Sequence, residues 1–160
     1  MYLAKPGTKK DPVKRWQQPD RVFFACGACH ILAWAFLQEY PDAGFSPRWI
    51  RPADGFTGNH IFLTRDDGLA FDYHGYSRRD RLLAHTHEKA NRWWPGWHAE
   101  TIPLPPEVLV SEARSRTYDG LWLREPGQFL HNALPRAEAY LARFPAPSDM
   151  TSSASSITTP

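Results

Sequence analysis

Cys29 closes the segment Ala25-Cys26-Gly27-Ala28-Cys29-His30, a small-residue turn that runs directly into the apolar stretch Ile31 to Leu37. That stretch is apolar almost all round and predicts a buried central helix over about residues 28–40, ended by Pro41 and Gly44. Cys29 then lies in the first helical turn. There it meets unsatisfied backbone N–H groups and the positive end of the helix dipole, and both favour thiolate over thiol. This is a site for a nucleophile. The same amides, of Ala28, Cys29 and His30, suit the oxyanion that forms when a thiolate attacks a carbonyl carbon.

A thiol nucleophile needs a base, and the base needs an orienting group. Residues 59–64 and 69–73 flank Asp66-Asp67-Gly68 and predict a β-hairpin carrying His60 on its first strand and Asp72 on its second. A three-residue loop with Gly68 in the left-handed conformation makes residue 65 face 69, 64 face 70, 62 face 72 and 60 face 74. His60 and Asp72 then share one side of the ribbon as diagonal neighbours. The opposite side becomes Ile61, Leu63, Leu69, Phe71 and Tyr73, a continuous apolar surface for the central helix. A two-residue loop would mix polar and apolar residues on both sides. Hydrophobic pattern and catalytic geometry thus select the same register.

Cys-Gly-Ala-Cys followed by His resembles the segment around the nucleophile of papain-like cysteine peptidases. The chain order Cys29, His60, Asp72 is similar to the compact transglutaminase-like core, in which a Cys opens a buried helix, a His begins a strand and an Asp lies in the next strand. The resemblance covers about residues 22–75. It departs from papain-like enzymes in three ways: His30 replaces an aromatic, Phe23 stands where an oxyanion Gln is expected, and His60 follows Cys29 by only 31 positions. The resemblance implies an α+β papain/transglutaminase-like core, a central helix packed on a small antiparallel sheet with further helices C-terminal to it. It further implies a Cys29-His60-Asp72 triad acting on an amide or acyl group through a thioester: peptidase, glutamine deamidase or transglutaminase chemistry. Bacterial effectors and toxins use this chemistry. The substrate would be a protein, a peptide or a small amide, and neither a metal nor an organic cofactor is required.

Other readings use the same residues. Cys26, Cys29 and His30 satisfy the CxxCH pattern of haem attachment, and with His60 or His74 they offer zinc ligands, without a second CxxC or an HxxxH to complete a familiar spacing. In a non-catalytic interaction module Cys29 would be an ordinary small buried residue. Cys26 is a packing residue or an alternative reactive thiol. His74, opposite His60 in the hairpin, is a candidate reserve base or substrate contact. Trp93 and Trp94 are candidates for the wall of a substrate cleft.

The positioning elements are short. Fifteen Pro and ten Gly punctuate the chain, and seven of its twenty-two aromatic residues are Trp. One domain is expected at 19–144, preceded by a flexible basic arm at 1–18 and followed by a Ser/Thr/Pro tail at 145–160. Arg21-Val-Phe-Phe-Ala reads as a strand or extended lead-in, and Trp49-Ile50 as a short strand. Ser77 with Asp80 resembles a capping box before a helix at 78–93. A strand at 98–102 follows, then helices at about 105–116 and 135–144. No apolar run reaches the length of a membrane span, and no signal-like core opens the sequence, so a reducing cytoplasmic setting is expected. Nineteen basic against seventeen acidic residues give +2, too weak a field to argue for nucleic acid. The oligomeric state is not encoded legibly.

Overall fold

A computed structural model describes residues 7, 8 and 10–152, with side chains through Met150. The fold is α+β. Its helices are α1 (Pro12–Trp16), α2 (Asp20–Ala25), α3 (Cys29–Glu39), α4 (Arg79–Trp93), α5 (Glu112–Ser115), α6 (Leu134–Leu141) and α7 (Asp149–Ser152), with 3-10 turns at Pro106–Val110 and Pro126–Gln128. Five strands, β1 (Ser46–Pro52), β2 (His60–Thr64), β3 (Leu69–Asp72), β4 (Gly75–Arg78) and β5 (Ala99–Pro103), form one antiparallel sheet in the order β4-β3-β2-β1-β5.

Helix α3 is the centre of the main core. Ile31, Leu32, Ala35 and Phe36 are buried against Ile61, Leu63, Phe71 and Tyr73 of the sheet, so the apolar side of the hairpin meets the apolar helix as the pattern requires. The sheet's other side is covered too, where Ile50, Phe62 and Ala70 cluster with Leu82 and Ala90 of α4 and with Trp97. Strand β2 is therefore buried along its whole length. The hairpin has the expected register: Thr64 pairs with Ala70 and Leu63 with Phe71, and Gly68 adopts a φ of +82°, a conformation costly for any residue with a Cβ.

Several local expectations are corrected. Residues 21–25 lie in helix α2, because Phe23 and Phe24 are buried by packing into the helical core, where tertiary contacts override a strand-like composition. The basic arm, read as extended, contains α1 instead; Asp11 Oδ1 caps it by accepting from the Val13 and Lys14 amides at 3.0 Å each, with Pro12 in the first turn. Ser77 does not cap α4 but sits in β4, a strand missed in the sequence, and the cap position is Arg78 with no side-chain bond. The single helix expected over 105–116 is broken at Ser111, whose hydroxyl caps the short α5. The tail expected from 145 contains a helical turn at Asp149–Ser152, and residues 153–160, with most of the first ten residues, lie outside the described residues.

The two ends of the folded unit are tied together. The Arg136 guanidinium on α6 donates to Asp20 Oδ1 at 2.9 Å and to the Trp16 and Gln18 carbonyls at 2.6 Å, and lies over the Phe23 ring at 4.1 Å. Tyr140 of the same helix donates its hydroxyl to the Tyr73 carbonyl at 2.8 Å, next to Asp72. Among the described residues no helix is long and apolar enough to cross a membrane.

Candidate active site

The sulfur of Cys29 sits where the β2–β3 ladder opens. Arg65 N–H donates to the Leu69 carbonyl, so alternate residues of β2, including Ile61, turn their N–H towards β3. The paired register stops at Leu63 and Phe71, one step short of Ile61. The Ile61 N–H donates to Cys29 Sγ instead, at 3.4 Å. Beyond the last ladder pair the helix tip reaches between the two strand ends, so groups from nominally opposite faces of the hairpin meet there.

His60 and Asp72 meet at this opening. His60 Nε2 lies 3.0 Å from Asp72 Oδ2, and both residues are only 7% exposed. The other ring nitrogen, Nδ1, is left for the Cys29 sulfur, whose charge favours a charged ring. Asp72 is fixed in turn: its Oδ1 accepts the His74 N–H at 2.8 Å, in the tight turn that leads to Gly75. The structure thus brings together Cys29, His60 and Asp72.

Their electrostatics follow from burial and mutual contact. Burial pushes the Cys29 thiol up, but hydrogen bonds with His30 and His60, and the charges of both rings, outweigh it and bring the thiol down to about 5 from 9.0. Burial likewise pushes the His60 imidazole down, yet its bonds to Asp72 and Cys29 carry it up to about 9. Asp72, despite desolvation, is held well below the usual carboxylate range by His60 and His74. Each shift favours the charged form of its group.

A cleft of about 280 Å³ opens onto this sulfur. Its walls include Arg15, Cys26, His30, Trp49, Asn59, Trp122 and Arg124. His30 is buried, and its Nε2 donates to the Arg124 carbonyl at 2.8 Å; since a carbonyl only accepts, that nitrogen carries a proton. Sequence reading assigned His30 only a backbone amide or a metal bond, and the influence of its imidazole on the Cys29 sulfur was missed. Trp49 was read as strand alone, but its Nε1–H donates to Asn59 Oδ1 at 2.7 Å and its ring lines the cleft. Arg15, Trp122 and Arg124 carried no local signal, because distant segments bring them here. Ala28, Cys29 and His30 open α3, where first-turn N–H groups lack intrahelical acceptors, and Cys29 and His30 line the cleft while Ala28 is buried behind it.

Trp93, Trp94 and His74 lie elsewhere. Trp93 and Trp94 stand at the C-terminal end of α4, edge-to-face with each other, and line none of this cleft. His74 lines a different depression with Arg21, His85 and Lys89, so it supports Asp72 rather than facing the sulfur. Cys26 is a buried thiol at the end of α2, and no disulfide joins it to Cys29. Among the described residues no group of three or more His, Cys, Asp and Glu is arranged to hold a metal ion, so Cys26, Cys29, His30, His60 and His74 do not assemble as a zinc set. No protein-family model, no curated protein and no solved structure matches this chain.

Proposed function

We propose that this protein is a thiol-dependent amide hydrolase or acyl transferase. The observation that carries the reading is the junction of Cys29, His60 and Asp72 at a helix start, inside a cleft large enough for a side chain or a short peptide segment. The thiolate attacks the amide carbon, and the carbonyl electrons move onto oxygen, which the α3 amides stabilise. His60 gives its proton to the departing amine as the C–N bond breaks, leaving a thioester. Water, or a second amine, then attacks the thioester with neutral His60 taking its proton. The sulfur leaves as thiolate and is restored.

Asp72 keeps the imidazole oriented and stabilises its charged form throughout. The second nucleophile decides between hydrolysis and transfer, and peptidase, deamidase and transglutaminase reactions share every earlier step. The test is intact-mass detection of an acyl adduct after incubation with small amides or lysate proteins, followed by mapping. An adduct on Cys29 that disappears in Cys29→Ser supports the reading. Adducts confined to Cys26, or none under conditions where iodoacetamide modifies Cys29 no faster than a free thiol, overturn it.

A further inference from the structure

The cleft beside Cys29 is lined by two guanidinium groups and by no carboxylate. Arg136 binds Asp20 and two carbonyls, Arg65 binds Asp67, and Arg51 binds Asp119 and Glu100. Arg15 is buried more deeply than any of these. It is 8% exposed, yet no described residue forms an ion pair or side-chain hydrogen bond with its guanidinium. Every side-chain nitrogen or oxygen sealed from solvent has a partner among the described residues, so the bare guanidinium nitrogens of Arg15 open onto the cleft. A desolvated cation without a counter-charge is expensive, and a protein keeps one where a ligand supplies the anion.

Arg124 completes the pair. Its cation lies over the Trp122 ring at 5.3 Å and its carbonyl is pinned by His30, so it is held in place among the residues that line the cleft. No described carboxylate bridges it to Arg15. Burial, and after it the like charge of Arg124, hold the Arg15 guanidinium below its ordinary value. Two planar forks of donors at one wall suit a planar oxyanion bound bidentately.

We propose that Arg15 and Arg124 form an anion subsite that takes a carboxylate of the substrate whose amide carbon is presented to Cys29. The assignment of that carboxylate to an amide substrate rests on the reading of Cys29 as the nucleophile. The source is either a free C-terminus or an acidic side chain near the scissile amide, and the recognising chemistry is the same for both.

Two alkylating agents of nearly equal size separate the anion site from the nucleophile. Rates at Cys29, followed by peptide mass in the full chain at pH 7, are compared for anionic iodoacetate and neutral iodoacetamide. The iodoacetate-to-iodoacetamide ratio should fall about tenfold in Arg15→Gln and in Arg124→Gln, with the iodoacetamide rate within about twofold of the parent and no change in the exposed control Arg79→Gln. The unchanged iodoacetamide rate reports that the site is intact, and Arg124→Gln carries the question alone should Arg15→Gln fail to fold.

A ratio insensitive to both arginines overturns the subsite. A slow iodoacetamide reaction titrating like a free thiol, with the ratio still falling in both variants, overturns the nucleophile and leaves the anion site standing. Protection of Cys29 by acetyl-Ala-Ala-Gly but not by its C-terminal amide assigns a terminal carboxylate, and protection by acetyl-Glu-Ala-Gly-amide assigns a side chain. Protection by none of the three at millimolar concentration overturns the carboxylate assignment.

Discussion

The backbone N–H of Ile61 is directed at the Sγ of Cys29, 3.4 Å away, in the position where β3 would otherwise supply a carbonyl. One residue's position on a helix is thereby locked to the register of a strand. The thiolate occupies a gap in the sheet, and the gap exists because the β2–β3 pairing ends early and lets Asp72 turn towards His60.

Alkylation of Cys29 should rise with an apparent pKa of about 5 rather than near 9.0, since the hydrogen bonds to its sulfur outweigh its burial. In His60→Ala the midpoint moves up and the rate with iodoacetamide at pH 6 falls tenfold or more, about tenfold per pKa unit. A profile that keeps its midpoint in that variant removes His60 from the sulfur's environment.

Asp72→Asn preserves the shape of the carboxylate but removes its charge and turns one Nε2 acceptor position ambiguous. Turnover of any amide substrate should drop by about 10²–10⁴-fold. The alkaline limb of the pH profile, set by His60 at about 9, should move towards neutrality because the bond to Asp72 is the leading influence raising it against burial. An unmoved alkaline limb would show that Asp72 does not support the charged imidazole.

His30 has a distinct signature. His30→Phe loses the 2.8 Å bond to the Arg124 carbonyl and one of the two imidazoles at the sulfur. The Cys29 midpoint should rise while the alkaline limb, which belongs to His60, stays in place. Loss of both limbs together would mean that the substitution has collapsed the cleft.

The pair also shapes stability against pH. His60 is raised in the fold, so its contribution is full below its ordinary 6.5 and is lost as pH climbs through about 9. Cys29 is depressed, so its contribution is full above 9.0 and is lost as pH falls through about 5. Between 6.5 and 9.0 the two changes offset and give a plateau. Below 6.5 only the Cys29 loss remains, and stability should decline towards pH 5. Urea midpoints of the parent and of Cys29→Ala, measured across this range, check it: the variant should lack the decline.

Gly75→Ala tests the turn that holds Asp72. Gly75 has a φ of +94°, and a Cβ built there falls 2.8 Å from Cε1 of the Phe144 ring. Backbone strain and overlap together should cost about 1–3 kcal/mol in unfolding free energy, and displacement of the neighbouring carboxylate should slow Cys29 alkylation at pH 6. Stability equal to the parent's would show that the turn relaxes freely.

Local chemistry made much of this legible. The unbroken apolar run of α3, the Gly68 loop and the parity of Ile61, Leu63, Phe71 and Tyr73 specify a helix, a register and a buried face, and the same parity puts His60 beside Asp72. What escaped depends on contacts between distant segments. Phe23 and Phe24 look like strand residues until α6 and α3 are there to bury them. The cleft walls from Arg15, Trp49 and the Trp122–Arg124 segment arise from pieces more than thirty residues apart, and β4 is a four-residue strand with no alternating apolar pattern to announce it. Trp93 and Trp94, conspicuous in the sequence, pack at the remote end of α4 because no local rule says which aromatic cluster a cleft recruits.

The Arg136 clamp has a practical corollary for anyone trimming the chain. A shortened version ending before residue 134 would retain sulfur, imidazole and carboxylate, yet would release α1 with Arg15 and unfasten the carbonyl next to Asp72. Such a fragment would be a one-sided trough, still bearing a thiol but lacking the wall that Arg15 supplies.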